Sequence, residues 1–308
     1  MGHKSHHYQE FIMRVFVTGA TGGIGSAVVP ELIAAGHQVL GLARSDRSAQ
    51  ALTDLGGAVL RGDLSDPEVL RHGAEQSDGV IHLAFSNDFE NFDRAMAEET
   101  LAVEAFAAAL RGTDKPLVIA SGTPAVPGRA STEDDPMSTD GPLGGRGRNA
   151  RTVLELATEG VRSSVVRLPR SVHARGKGYG FASILIDAAQ RTGVSGYLGD
   201  GSQRWPAVHT LDAARLFRLA LEEAAPGTVL HAVADQGVTM IAMAEAIGRK
   251  LGVPIEAVPA ESFGFLGAIF AVDQPSSSAI TRQKFNWQPT HPSLIEELDA
   301  GGYPTLSA

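Results

Sequence analysis

The chain has 308 residues, 43% of them hydrophobic, enough to bury a large core as one big domain or two interleaved ones. Its formal net charge is −9, with acidic and basic residues mixed rather than run together, which argues against a nucleic-acid partner. There is no cysteine, so disulfides, thiolate metal sites and cysteine nucleophiles are excluded together.

No stretch approaches the apolar length that spans a bilayer. Residues 1–11, with His3, His6 and His7, lack the hydrophobic region of a signal peptide and read as a disordered arm. A soluble, cytoplasmic protein with no membrane partner and no metal centre is expected. The first organised stretch is Val15-Phe16-Val17-Thr18-Gly19-Ala20-Thr21-Gly22-Gly23-Ile24-Gly25, followed by a helical pattern at Val28, Val29, Leu32 and Ile33. That is a strand, a turn and a helix. Gly19 permits a tight turn, Gly22 lets backbone approach a pyrophosphate, and Gly25 lets the helix pack close to the strand. With Thr21, Gly23 and Ile24 these glycines form the expected phosphate turn, where unpaired N–H groups and the helix dipole meet the anion.

Gly36-His37 ends the helix and Gln38–Ala43 is the second strand, completing the opening of a βαβ unit. Arg44 and Ser45 stand at its end. An arginine there suits a 2′-phosphate, whereas an acidic residue suits a ribose hydroxyl, and Asp46 is near enough to serve one. NADP is the expected cofactor, with NAD as the alternative. A helix (Ser48–Leu55) and a strand (Ala58–Arg61) lead to Gly62-Asp63-Leu64-Ser65-Asp66-Pro67, where Asp63 and Leu64 are placed at the adenine and Asp66 as a helix N-cap. The fourth strand, Gly79–Ala84, is apolar enough for burial on both faces, with His82 a core histidine and Leu83, Ala84 and Phe85 facing the cofactor. A helix, Phe92–Arg111, returns to a fifth strand, Pro116–Ala120, and then Ser121-Gly122-Thr123.

Repeated βα units with short connections predict an α/β fold, a Rossmann doubly wound parallel sheet, whose strand tips carrying Gly22, Arg44, Asp63, Ala84 and Thr123 converge on one crevice. Residues Val126–Arg148 read as a long loop over that crevice, followed by a helix (Asn149–Glu159) and a strand (Val161–Leu168). After Pro169 the alternation is less regular. The expected division is an NAD(P)-binding domain over 12–169 and a smaller C-terminal substrate-binding lobe over 170–308, with residues 204–233 returning to the first domain and Val229–Val233 adding a strand. The apolar run Phe263–Phe270 is expected to line a substrate pocket or to dock on a second subunit in a homodimer.

The motifs Thr18-Gly19-x-x-Gly22-x-x-Gly25, Gly62-Asp63-Leu64, Ser121-Gly122-Thr123, Val165-Val166-Arg167-Leu168-Pro169 and Pro206-Ala207-Val208-His209-x-x-Asp212 together resemble the short-chain dehydrogenase/reductase superfamily, in its extended and atypical branches. The resemblance implies NAD(P), with the nicotinamide near Ser121, Thr123 and Pro169. It also implies a Ser or Thr after the fifth strand, which is Thr123, and a Tyr-x-x-x-Lys pair on the next helix. None of Tyr8, Tyr179, Tyr197 and Tyr303 has lysine four residues on. Counting back from Gly160 puts Gly147 in the tyrosine place and Arg151 in the lysine place. Thr123, Arg151 and His173 are therefore the catalytic candidates, with Arg148, Tyr179, Arg204 and Trp205 as substrate candidates; arginine itself is a poor proton donor. The leading expectation is an oxidoreductase acting on a small carbonyl or alcohol substrate. A nicotinamide-dependent epimerase, isomerase or lyase and a non-catalytic NAD(P)-sensing protein are the alternatives.

Overall fold

The computed structural model describes residues 12–85, 92–141 and 144–303. The proposed arm over residues 1–11 lies outside them. The first part of the chain runs β1 (Arg14–Thr18), α1 (Gly25–Ala34), β2 (Gln38–Ala43), α2 (Asp46–Asp54), β3 (Ala58–Arg61), α3 (Pro67–Glu75), β4 (Gly79–His82), α4 (Phe92–Leu110), β5 (Pro116–Gly122), α5 (Gly144–Glu155), a 3₁₀ turn (Leu156–Glu159) and β6 (Arg162–Leu168). It continues through β7 (Ser171–His173), α6 (Ala182–Thr192), β8 (Ser195–Leu198), β9 (Arg204–His209), α7 (Thr210–Glu223), β10 (Thr228–His231), β11 (Asp235–Thr239), α8 (Met240–Leu251), β12 (Ile255–Val258), α9 (Gly267–Phe270), α10 (Ala279–Phe285) and α11 (Leu294–Ala300).

Seven strands form a parallel sheet in the order β10-β6-β5-β4-β1-β2-β3, so the Rossmann architecture expected from the sequence is present. Successive residues of β1 serve opposite faces, as a pleated strand requires. Val15 and Val17 pack with Val28, Leu32, Phe217 and Leu221 of α1 and α7, while Phe16 packs with Leu70, Phe106 and Leu110 of α3 and α4. A third core, with Leu185, Trp205, Met243, Ile247 and Phe270, fills the second lobe around the small sheets β11-β9-β7 and β12-β8. No described helix is long and apolar enough to cross a membrane.

Local chemistry sets the helix starts that face the crevice. Ser45 caps α2 in a reciprocal pair with Ser48, and Asp66 caps α3 by accepting from the amides of Glu68 and Val69, with Pro67 in the first turn.

Three expectations need correction. β4 ends at His82 rather than Ala84: the Leu83 amide still donates to Thr18 O, but the Ala84 amide turns to the Thr18 hydroxyl at 3.3 Å. α5 begins at Gly144, so Arg146 and Arg148 are helical rather than in a loop. The segment before it is stapled down, because Ser131 N donates to Pro275 O, Ser277 N to Ser131 O, and the Glu133 carboxylate accepts from both the amide (2.7 Å) and the hydroxyl (2.6 Å) of Thr281. In the apolar run, Phe263, Leu266 and Phe270 are buried in the core of the second lobe rather than lining a pocket or an exposed docking face.

Candidate functional site

The strand order reverses between β1 and β4, and the crevice of a doubly wound sheet opens at such a point beyond the carboxyl ends. Two glycines are fixed there by contact. Gly19 has φ +68°, and a Cβ on it would lie 2.7 Å from Ala84 N; a Cβ on Gly25 would lie 2.0 Å from Gly19 O. No side chain caps the start of α1. Gly22 and Gly23 are exposed, and a Cβ on Gly23 would meet nothing within 4 Å, so this backbone is open to a ligand. Underneath, the Thr18 hydroxyl accepts from Ala84 N and is hydrogen-bonded to His82 Nδ1 at 2.7 Å. Burial pushes His82 down to about 3, so it stays neutral and serves the core.

From this turn a cleft of about 790 Å³ runs over the ends of β2 and β3. Of the predicted cofactor residues, Gly19, Thr21, Arg44, Ser45, Asp63, Leu64, Ala84 and Phe85 line it. Gly22, Gly23, Ile24 and Gly25 belong to the adjoining turn. Leu83 packs against the core, and Ser121 and Pro169 are buried farther along the sheet. The Asp63 carboxyl is held below its ordinary range by the amide and then the hydroxyl of Ser65. Asp46 points elsewhere, into an ion pair with Arg61 at 2.5 Å. The sequence reading did not assign Arg47, Ser48, Arg94, Ala95 and Glu98 to the lining; the spacing of the last three puts them on one face of α4, the only cue available for them.

Beyond the lined cleft, Arg146 links Phe85 to the end of β5. Arg146 lies with its guanidinium 4.2 Å over the Phe85 ring, donates to Ala120 O at 2.8 Å and pairs with buried Glu99 at 3.2 Å. Asn149 donates to the other Glu99 oxygen and accepts from Thr100, so the cation is aimed by a buried network. Thr123 is buried at the adjoining strand end, its amide bonded to Leu168 O. The Gln274 side-chain amide donates to the Thr123 carbonyl and lies 3.4 Å from its hydroxyl, while accepting from Arg170 Nε at 2.6 Å. Among the described residues no group of His, Asp or Glu is arranged to hold a metal ion.

A family model described as the NAD dependent epimerase/dehydratase family matches residues 15–233, the stretch from β1 to just past β10. The chain belongs to this family. An uncharacterized protein of Schizosaccharomyces pombe is 41% identical over 295 residues, covering 94% of this chain and all of the relative. A 2-alkyl-3-oxoalkanoate reductase of Stenotrophomonas maltophilia is 27% identical over 227 residues, 70% of this chain and 67% of the relative. The crystal structure of the Thermus thermophilus UDP-glucose 4-epimerase in complex with NAD shares the fold, with a TM-score of 0.75 at 20% identity, covering 93% of this chain and 99% of that one.

Within this epimerase/dehydratase frame, the remaining sequence candidates fall in places the spacing did not foresee. Arg151 is five residues beyond Arg146, roughly 140° around the helix at 3.6 residues per turn. Its side chain is 63% exposed and meets Glu155 at 3.7 Å, so Arg146 rather than Arg151 is the arginine that packs on the cleft-lining Phe85. Gly147 has no room for a side chain, since a Cβ there would lie 2.0 Å from Ser138 O. Arg148 donates to Thr139 O at 2.5 Å, on the side of the stapled segment. His173 is fully buried with neither ring nitrogen hydrogen-bonded, edge-on to His209, and burial pushes it down to about 4, an environment for a neutral core histidine rather than a proton shuttle. Tyr179 is buried in the second lobe and donates to Gly301 O at 3.1 Å, so its hydroxyl is engaged by the chain itself. Arg204 and Trp205 are neighbours on a strand and diverge: Arg204 grips Asp273 with two nitrogens at the surface, and Trp205 is buried against Phe270. They do not form the wall-and-anchor pair expected of them.

Proposed function

We propose that this protein is an NADP(H)-dependent oxidoreductase acting on small carbonyl compounds. The observation that carries the reading is the far end of the cleft. Arg44, Ser45, Arg47 and Ser48 line it together, while Asp46 is turned away onto Arg61. Two guanidinium groups and the capped start of α2 suit a dianionic 2′-phosphate, while of the carboxylates that line the cleft Asp63 is tied to Ser65 and Glu98 stands across it on α4. The glycine turn would hold the diphosphate, and Asp63 and Leu64 the adenine. The reductase relative supports a carbonyl substrate.

When bound, the nicotinamide supplies hydride. The chain supplies the surroundings of the acceptor: the Thr123 hydroxyl to bond the carbonyl oxygen, and the Arg146 cation, set by Glu99 and Phe85, to favour negative charge developing on it. Arginine does not give up its proton at neutral pH and a threonine hydroxyl is no stronger an acid, so the proton comes from water, either directly or relayed through the Thr123 hydroxyl, which takes a proton back from that water as it passes its own on. The test is titration of the purified protein with NADPH and NADH, followed by absorbance of NADPH against a panel of ketones and aldehydes. Binding of NADPH ahead of NADH and net consumption in the presence of a carbonyl are expected. Failure of both nucleotides to bind overturns the proposal, and turnover with no net change in cofactor absorbance would favour an epimerase or isomerase.

A further inference from the structure

The cleft along β2 and β3 has no role for a second polar cluster, at the end of β6. Arg170 directly follows Pro169, and its carbonyl is fixed by the Phe181 amide at 3.1 Å. Its guanidinium carbon lies 5.2 Å from the centroid of the Trp205 ring, within cation–π reach. Arginine only donates, so the Gln274 side chain must turn its oxygen to Arg170 and its nitrogen to Thr123. One amide thus ties Arg170 to Thr123. With the Thr123 oxygen facing a donor, its own O–H is left to donate to another acceptor.

The guanidinium is incompletely used. Arg170 Nη1 is buried without a hydrogen-bond partner, and no carboxylate forms an ion pair with Arg170 among the described residues; nearby Asp273 is spent on Arg204. Burial draws Arg170 down to about 10, still charged at neutral pH. Arg170, Arg204 and Asp273 together leave one positive charge. A monoanion would neutralise it, whereas a phosphate dianion would overshoot.

Resting on the oxidoreductase reading, we propose that Arg170 anchors the carboxylate of an oxo-acid substrate whose carbonyl meets the Thr123 hydroxyl. Arg170 aims the substrate; Thr123 and the cofactor act on it. Gln274 holds the two at a fixed spacing, so it selects acids by the distance between carboxylate and carbonyl.

The experiment uses the full chain with NADP⁺ and two unreactive probes, oxamate and malonamate, amide mimics of a 2-oxo and a 3-oxo acid, with inorganic phosphate as a third. Binding is read by tryptophan fluorescence, to which Trp205 contributes directly, since the chain has only two tryptophans. One carboxylate probe is expected to give a saturable change that weakens at least tenfold in Arg170→Met and partly recovers in Arg170→Lys, with NADP⁺ affinity unchanged in both variants as the control for folding. The proposal is overturned if neither carboxylate binds, if Arg170→Met binds as well as the parent, or if phosphate takes the site instead. Should NADP⁺ itself fail to bind, the cofactor reading falls on its own. The same probes on the nucleotide-free protein then decide Arg170: binding lost in Arg170→Met upholds the anchor, and no binding removes it.

Discussion

A methyl group added at Gly25 meets main chain, Gly19 O and Ala20, rather than a yielding side chain. Gly25→Ala is therefore expected to cost about 1–3 kcal/mol by overpacking and to weaken nucleotide binding, read from the denaturation midpoint and an NADPH titration. Arg44→Ala should lower NADPH affinity by about 10–100-fold, equal to roughly 1.4–2.8 kcal/mol, and leave NADH affinity nearly unchanged; equal losses for both would mean that Arg44 does not meet a 2′-phosphate. At the other end, Arg146→Met should reduce turnover by about 10²-fold or more, while Arg151→Met stays within about twofold. The placement of the glycine turn and Arg44 beside one cleft was legible because the cue lies in adjacent residues. The register of the arginines was not. Counting back from Gly160 assumes one uninterrupted α-helix, but Leu156–Glu159 forms a 3₁₀ turn, whose three residues per turn rotate everything upstream of it.

At the scale of elements, α5 and the segment before it explain each other. Gly144 and Gly147 sit where Thr139 O and Ser138 O approach the helix, so a run poor in helix formers becomes the contact that admits the preceding chain. Gly147→Ala should cost about 1–3 kcal/mol, measured by chemical denaturation, even though alanine favours an isolated helix. Most strands of the large sheet could be read directly as apolar runs between turn residues; β6, which carries Arg162, Ser163, Ser164 and Arg167, is marked only by Val165, Val166 and Leu168. The small sheets could not: β7 is only Ser171–His173 and finds its partner β9 more than thirty residues on. The staple of residues 129–135 had no local signal either, because Glu133, Thr281 and His231 come together from distant parts of the chain.

For the whole molecule, acid is the condition that unites buried histidines from different regions. Burial lowers His82 to about 3 and His173 and His231 to about 4, all from an ordinary 6.5. His231 donates from Nδ1 to Ser277 O and so accepts from Arg167 at Nε2, which also favours its neutral form. The unfolded chain binds these protons at higher pH than the folded one. Their contribution to stability is therefore complete above about pH 6.5, falls as pH drops toward 4, and changes at up to about 1.4 kcal/mol per pH unit for each histidine. Melting temperatures measured across that window should decline steadily, and His173→Leu should reduce the slope; a flat profile between these values would contradict the burial of all three.

The end of the chain closes what the middle leaves open. Trp287 sits in the core beneath α7 and donates to Asp212 O at 3.0 Å, while the Asp212 carboxylate receives the amides of Thr290 and His291. Residues 275–281 likewise secure the segment around Ser131 and Glu133, and β10 completes the edge of the large sheet. During synthesis the part of the chain that carries the glycine turn and most of the large sheet therefore emerges long before its clasp. A ribosome stalled near residue 270 would hold a nascent domain whose α7 lacks its tryptophan plug, and in a series of progressively longer stalled chains protease sensitivity should persist until Trp287 and His291 are outside the exit tunnel.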